Sequence, residues 1–149
     1  MVQKKMLTKQ KYIISKFLKI LFRDGKKAKF EILLKKAFAY IKKNLKNHPL
    51  YIFIDFIKKG QPFCELKSLK IKGSIQRVPV ELTVTKQKSL TLRWLALNTD
   101  ITLSNKNTLV ESLTNEIMDT INLLGRTVKN CNEIHKISEL NRIFTQFKN

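Results

Sequence analysis

The stretch CELKSLKIKGSIQRVPVELTVTKQKSLTLRW, residues 64–94, decides the fold. In its second half Val78, Val80, Leu82 and Val84 fall at every other position, with Arg77, Pro79, Glu81 and Thr83 between them. A period of two puts apolar groups on one face of a strand and polar groups on the other. Glu65 to Ile71 is a shorter, rougher strand, and Lys72-Gly73-Ser74 supplies the turn, since glycine takes positive φ without steric cost. Pro79 cannot donate to a ladder and so belongs on an edge strand; in a two-stranded ribbon both strands are edges. A lone hairpin is marginal in water, so this one needs support at its base. Lys67, Lys70, Lys72 and Arg77 are expected to crowd its tip, which predicts a polyanionic partner.

Helical periodicity surrounds the ribbon. Lys9 to Phe22 predicts a first helix, capped by Thr8, with Ile13, Phe17, Leu18 and Leu21 as its stripe and Lys16 and Lys19 facing away. Gly25 suits the left-handed position that ends it. A second helix, about 27–44, buries Phe30, Leu34, Phe38, Ile41 and Leu45, and a short apolar third runs from Leu50 to Lys59. Beyond the ribbon, Thr85 is the expected cap of a fourth helix over 86–98, with Leu90, Trp94 and Leu97 on one face, followed by a polar loop over 99–107. Thr108 and Glu111 form a capping-box pattern before a fifth helix. Its inward side is Leu109, Leu113, Ile117, Ile121 and Leu124, and Gly125 closes it. A last helix from about Val128 carries Ile134, Ile137, Leu140, Phe144 and Phe147. The expected architecture is mainly α: a six-helix bundle with a protruding two-stranded β-ribbon, about 64–85, between helices three and four. With no internal repeat or linker, residues 1–149 are read as one domain.

The charge points to a partner. Thirty Lys and Arg against eleven Asp and Glu give a net +19. Residues 1–75 hold 20 basic groups against 4 acids, and 76–149 hold 10 against 7. Such a field self-repels strongly unless it meets nucleic acid or an anionic membrane. The expected phosphate contacts are Lys4, Lys5, Lys9 and Lys11, then Lys26, Lys27 and Lys29, then Lys67 and Lys70 on the ribbon, then Arg93, Lys129, Lys136 and Arg142. Lysine attracts phosphate as a point charge, while arginine can bond it bidentately, which gives Arg77, Arg93, Arg126 and Arg142 the stronger claim to specific roles.

Chemistry is sparse. Cys64 and Cys131, His48 and His135 are too scattered for usual zinc-ligand spacing, so reduced structural thiols and no metal or other cofactor are expected. There is no phosphate-binding Gly-Lys-Ser/Thr loop, no Gly-x-Ser-x-Gly and no His-Glu-x-x-His. Glu116 and Asp119, three apart on a helix, read as a surface pair, and His135 as an RNA-facing or half-buried structural residue. No base–nucleophile–orienter set can be named, so no enzyme and no small-molecule substrate are expected.

Residues 64–82 followed by Leu90-Thr-Leu-Arg-Trp94 resemble the family of small-ribosomal-subunit protein seven in its bacterial and organellar form. The resemblance rests on Glu65, the basic first strand, Gly73, Val78-Pro79-Val80-Glu81 and Arg93-Trp94. Asp24-Gly25-Lys26-Lys27 and Gly125, His135, Asn141-Arg142 and Phe144 fit in order, so it spans nearly the whole chain. It implies a protein that binds the three-prime major domain of small-subunit rRNA and nucleates folding of the subunit head. The ribbon, with Lys72, Gly73 and Arg77, would then lie near exit-site tRNA and mRNA, and small-subunit protein eleven would be a neighbour. The chain departs from the family pattern at Leu69, at Lys72, at Asn98-Thr99-Asp100 and at Lys129-Asn130-Cys131. Heavy use of Lys, Ile, Asn and Phe with little Arg suggests an AT-rich genome, hence a mitochondrion, with plastid or bacterial cytoplasm as alternatives. The first 22 residues, without arginine, are read as a helix rather than an import sequence. Two rivals remain: a non-ribosomal RNA- or DNA-binding protein, which explains charge but not the ordered blocks, and a membrane-surface protein using the first helix as a basic amphipathic anchor.

Overall fold

The computed structural model describes residues 2–22, 24–45, 47–71, 73–103 and 108–147, with side chains other than those of 2–11, 71, 101–103 and 147. Six helices and one ribbon follow in order: α1 Val2–Leu21, α2 Lys27–Leu45, α3 Pro49–Gly60, β1 Cys64–Ile71, β2 Ser74–Glu81, α4 Val84–Leu103, α5 Leu109–Ile121 and α6 Arg126–Leu140. A 3-10 turn, Arg142–Phe147, ends the described chain. The bundle and the ribbon's place between α3 and α4 are as the periodicities predict.

α5 lies at the centre, packed against α2, α3, α4 and α6. Its Leu113 and Ile117 are fully buried among Phe17 and Leu18 of α1, Leu34 and Ile41 of α2, Phe53 and Phe56 of α3, and Leu92 and Leu95 of α4. The Phe53 ring meets Phe17 at 5.5 Å, Phe38 edge-on at 5.6 Å and Phe56 at 5.9 Å, so one aromatic cluster joins α1, α2 and α3. Truncating a fully buried leucine such as Leu113 to alanine would cost about 2–5 kcal/mol.

Several boundaries differ from expectation. α1 begins at Val2, so Thr8 lies inside it rather than capping it; the intervening residues include no glycine or proline to stop a helix. Lys16 is half-buried, its Nζ donating to Ser89 Oγ of α4, and does not face away. Val84 opens α4 instead of ending the strand, and is 60% exposed. The ladder stops at the Cys64–Glu81 pair, and the Thr83 carbonyl then accepts the amides of Lys86 and Gln87, so Thr83 rather than Thr85 starts the helix. α4 continues through 99–103, where a loop was expected; residues 104–107 lie outside the described ones. α5 ends at Ile121, and Gly125 caps the start of α6 rather than closing α5. Leu97, Leu124 and Leu140, expected inward, are exposed. Phe147 falls in the 3-10 turn, its side chain outside the described ones.

Gly125 is glycine because of close approach. A Cβ there would stand 2.7 Å from the Thr120 backbone nitrogen. At the C-terminal end of α3, a Cβ on Gly60 would meet Thr127 at 2.9 Å and Thr91 at 3.0 Å, so small residues let α3, α4 and α6 converge.

Candidate nucleic-acid interface

The ribbon pairs Cys64 with Glu81 through to Ile71 with Ser74, and Gly73, in the turn between the strands, has φ +87°. That register corrects the expected crowding of cations at the tip. Lys70 opposes Ile75, but Arg77 opposes Ser68 and Lys67 opposes Val78, halfway down the ribbon. Directly opposed side chains share a face, so Lys70, Ile75 and Arg77 lie on one face and Lys67 on the other. Lys67, Lys70, Gly73 and Arg77 are exposed, while Lys72 lies outside the described residues. Lys67 stands 3.9 Å from Glu65, a long, solvent-screened contact that leaves it free to exchange partners.

The ribbon is braced at its base, as marginal hairpins require. β1 packs on α6 and β2 on the 3-10 turn. The Leu82 amide donates to the Phe63 carbonyl at 3.0 Å, one step beyond the ladder. The Phe63 amide donates to His135 Nε2 at 3.1 Å, and the two rings stack at 5.6 Å. His135 is thus a half-buried structural residue whose Nε2 is an acceptor, the second of the two roles expected for it. Cys64 Sγ lies 3.1 Å from Ser138 Oγ. Both cysteines are free thiols, and burial, with Cys64 nearby adding a smaller effect, pushes the Cys131 thiol above its ordinary 9.0.

On the same substructure Lys129 and Lys136 are exposed and two helical turns apart on α6, with Glu133 between them, and Arg142 is exposed on the 3-10 turn. The fold therefore gathers the ribbon, Lys129, Lys136 and Arg142 into one contiguous unit. A second group, Lys26, Lys27 and Lys29, is exposed at the corner between α1 and α2, where Asp24 and Gly25 both have positive φ. Lys26 is 3.9 Å from Asp24. Arg93 is exposed on α4 between buried Leu92 and Trp94. Lys4, Lys5, Lys9 and Lys11 all lie on α1, their side chains outside the described ones.

Glu116 is buried rather than half of a surface pair. It is 5% exposed, and its Oε1 accepts the Thr127 amide at 2.8 Å, Thr127 Oγ1 at 2.7 Å and Asn98 Nδ2 at 3.4 Å. Asn98 Nδ2 also donates to Thr127 Oγ1 at 3.2 Å. The carboxylate of α5 thus caps α6, whose own N-cap, Gly125, has no side chain to do so. It ties α4, α5 and α6 at one point and fixes the helix that carries Lys129 and Lys136. The one sequence signal was a glutamate on the inward side of α5, three residues past Leu113 and next to Ile117.

The family model for ribosomal protein S7p/S5e matches residues 1–142. Among curated proteins, small ribosomal subunit protein uS7 of Lactobacillus johnsonii is 35% identical over 136 residues, spanning 91% of this chain and 86% of that protein. The proteins of the same name from Metamycoplasma arthritidis and Azorhizobium caulinodans are 34% and 31% identical over the same shares. With the match running from the first helix into the 3-10 turn that braces the ribbon, the chain belongs to the ribosomal protein S7p/S5e family.

Proposed function

We propose that this chain is a structural constituent of the small ribosomal subunit: a single rRNA-binding domain that holds the three-prime major domain of small-subunit rRNA and nucleates assembly of the head. The observation that carries the reading is the family match over residues 1–142. Relatives that bear the name small ribosomal subunit protein support it, as does the +19 charge. Membership of a ribosomal-protein family makes the chain a structural protein rather than an enzyme.

In this reading two cationic groups meet rRNA phosphates. One is α1 and its corner, with Lys4, Lys5, Lys9, Lys11, Lys26, Lys27 and Lys29; the other is Lys67, Lys70, Lys129, Lys136 and Arg142, with Arg93 on α4. Recognition would follow backbone shape and unpaired loops rather than duplex base edges, as is general for RNA. The ribbon end, Lys72, Gly73 and Arg77, would approach exit-site tRNA and mRNA, and small-subunit protein eleven would be a head neighbour. A composition of 25 Lys against 5 Arg supports a mitochondrial ribosome, with plastid or bacterial cytoplasm as alternatives; the relatives named above are bacterial.

An antibody raised against the chain, applied to gradient fractions of cell extract, tests both levels. Co-sedimentation with small-subunit rRNA in the mitochondrial fraction is expected. Signal in cytosolic or plastid ribosomes would overturn the compartment alone, and signal confined to free protein would overturn the ribosomal assignment.

A further inference from the structure

A cleft of about 430 Å³ opens where the end of α2, the start of α3 and the end of α5 meet. Its apolar side is Leu45, Ile52 and Ile121; its polar side is Asn47, His48, Tyr51 and Asp55. Apolar walls with a few hydrogen-bonding groups at this volume are the make-up of a small-ligand site. Tyr51 is 62% exposed, so its ring is available to a ligand rather than spent on the core.

That ring is held in place. His48 Nδ1 accepts the Leu50 amide at 3.4 Å as the α3 cap, and the His48 ring meets Tyr51 edge-on at 5.8 Å. Asp55 is ion-paired with Lys59 at 3.3 Å, and Lys59 Nζ also donates to the Ile121 carbonyl at 2.9 Å. The acid in the wall therefore meets an approaching anion already paired with a cation, while its side chain, 48% exposed, can still accept a hydrogen bond. Beyond the lining, Lys42 and Lys43 stand in the last turn of α2, the helix that supplies Leu45, and Lys58 stands in the last turn of α3, seven residues past Tyr51 and so on the same side of that helix.

We propose that this cleft binds one unpaired nucleotide of single-stranded RNA, its base stacked on Tyr51 and its phosphates drawn by Lys42, Lys43 and Lys58. Asn47 and Asp55 offer the base edge a donor–acceptor pair and an acceptor. Aromatic faces beside a cationic track are how proteins take splayed-out bases, and the cations here complement the phosphate charge. The inference rests on the rRNA-binding reading and deepens it, adding a base-stacking site to a surface otherwise argued from phosphates.

The probe is a short oligouridine with one central 2-aminopurine, whose fluorescence is quenched by stacking. The full wild-type chain should bind and quench it, and Tyr51→Phe should do the same. Tyr51→Ala, at an exposed position and checked by its thermal melt to be folded, should abolish the quench and weaken binding about fivefold to a hundredfold. Unchanged quenching and affinity in Tyr51→Ala, or wild-type binding without quench, would overturn the site and leave the cleft to a protein neighbour. A transcript of the rRNA three-prime major domain, titrated alongside, separates the two levels. If wild type prefers it to unrelated RNA while Tyr51→Ala has no effect on the probe, only the stacking site fails. If wild type shows no such preference, the rRNA reading fails with it.

Discussion

Replacing Glu116 by alanine removes the acceptor that α4, α5 and α6 share. Two of its bonds, at 2.7 and 2.8 Å to Thr127, are short enough to count fully; those to Asn98 at 3.4 Å and Thr120 at 3.5 Å are too long to add much. The Thr127 amide would be left buried and unpaired, at about 1–3 kcal/mol, and α6 would lose its cap, worth about 0.5–2 kcal/mol. These overlap, since the cap bond is the amide bond, so the expected cost is about 3 kcal/mol once the lost hydroxyl bond is added. At roughly 2–4 °C per kcal/mol for a chain of this size, the melting temperature should fall by about 6–12 °C. Glu116→Gln keeps an acceptor oxygen and should cost about 1 kcal/mol. Asp119→Ala, with its side chain in solvent, should stay within about 0.5 kcal/mol. Thermal melts followed by circular dichroism, with urea titrations to check two-state behaviour, measure all three. A Glu116→Ala change as small as that of Asp119→Ala would refute the buried clamp and restore the surface reading.

Gly125→Ala puts a methyl group 2.7 Å from the Thr120 nitrogen, and overpacking against backbone should cost about 1–3 kcal/mol in the same melts. For Cys131, the folded chain keeps a proton that the unfolded chain releases, so its contribution is intact below the ordinary 9.0 and falls as pH rises above it. Wild type should therefore lose more stability than Cys131→Ser between about pH 8 and pH 10, measured as urea midpoints; parallel curves would count against a raised thiol. Lys70→Ala with Arg77→Ala, on one ribbon face, should weaken rRNA binding and reduce the slope of log affinity against log salt by about 0.7–0.9 per lost phosphate contact. An unchanged slope would remove that face from the interface.

The periodic parts of this fold were legible because their cause is local. Phe17, Leu34, Ile41 and Leu113 fall at helical spacing and are buried, and the alternation of Val78 and Val80 with Arg77, Pro79 and Glu81 marks β2. What escaped depends on partners distant in sequence. Glu116 looks like any helix glutamate until Asn98 and Thr127 are brought to it. Gly125 after an apolar helix reads as its terminator, yet it is the N-cap of the next helix and must be glycine because it approaches Thr120 in the last turn of α5. Leu124 and Leu140 continue their stripes in sequence but stand past or at the helix ends, where the face no longer meets the core. Of the candidate interface, the excess of cations and the family blocks could be read directly. The placing of Arg77 on the Lys70 face rather than the Lys67 face could not, because it follows from the cross-strand register.

The most direct test is filter binding of the purified chain to a transcript of the small-subunit rRNA three-prime major domain, against an unrelated RNA of equal length across a salt series. Counterion release makes the nonspecific part of binding collapse as salt rises. A preference for the cognate transcript that persists at high salt is the predicted result. Equal binding to both RNAs, lost together as salt increases, would mean a polycation without a cognate site and would contradict the account.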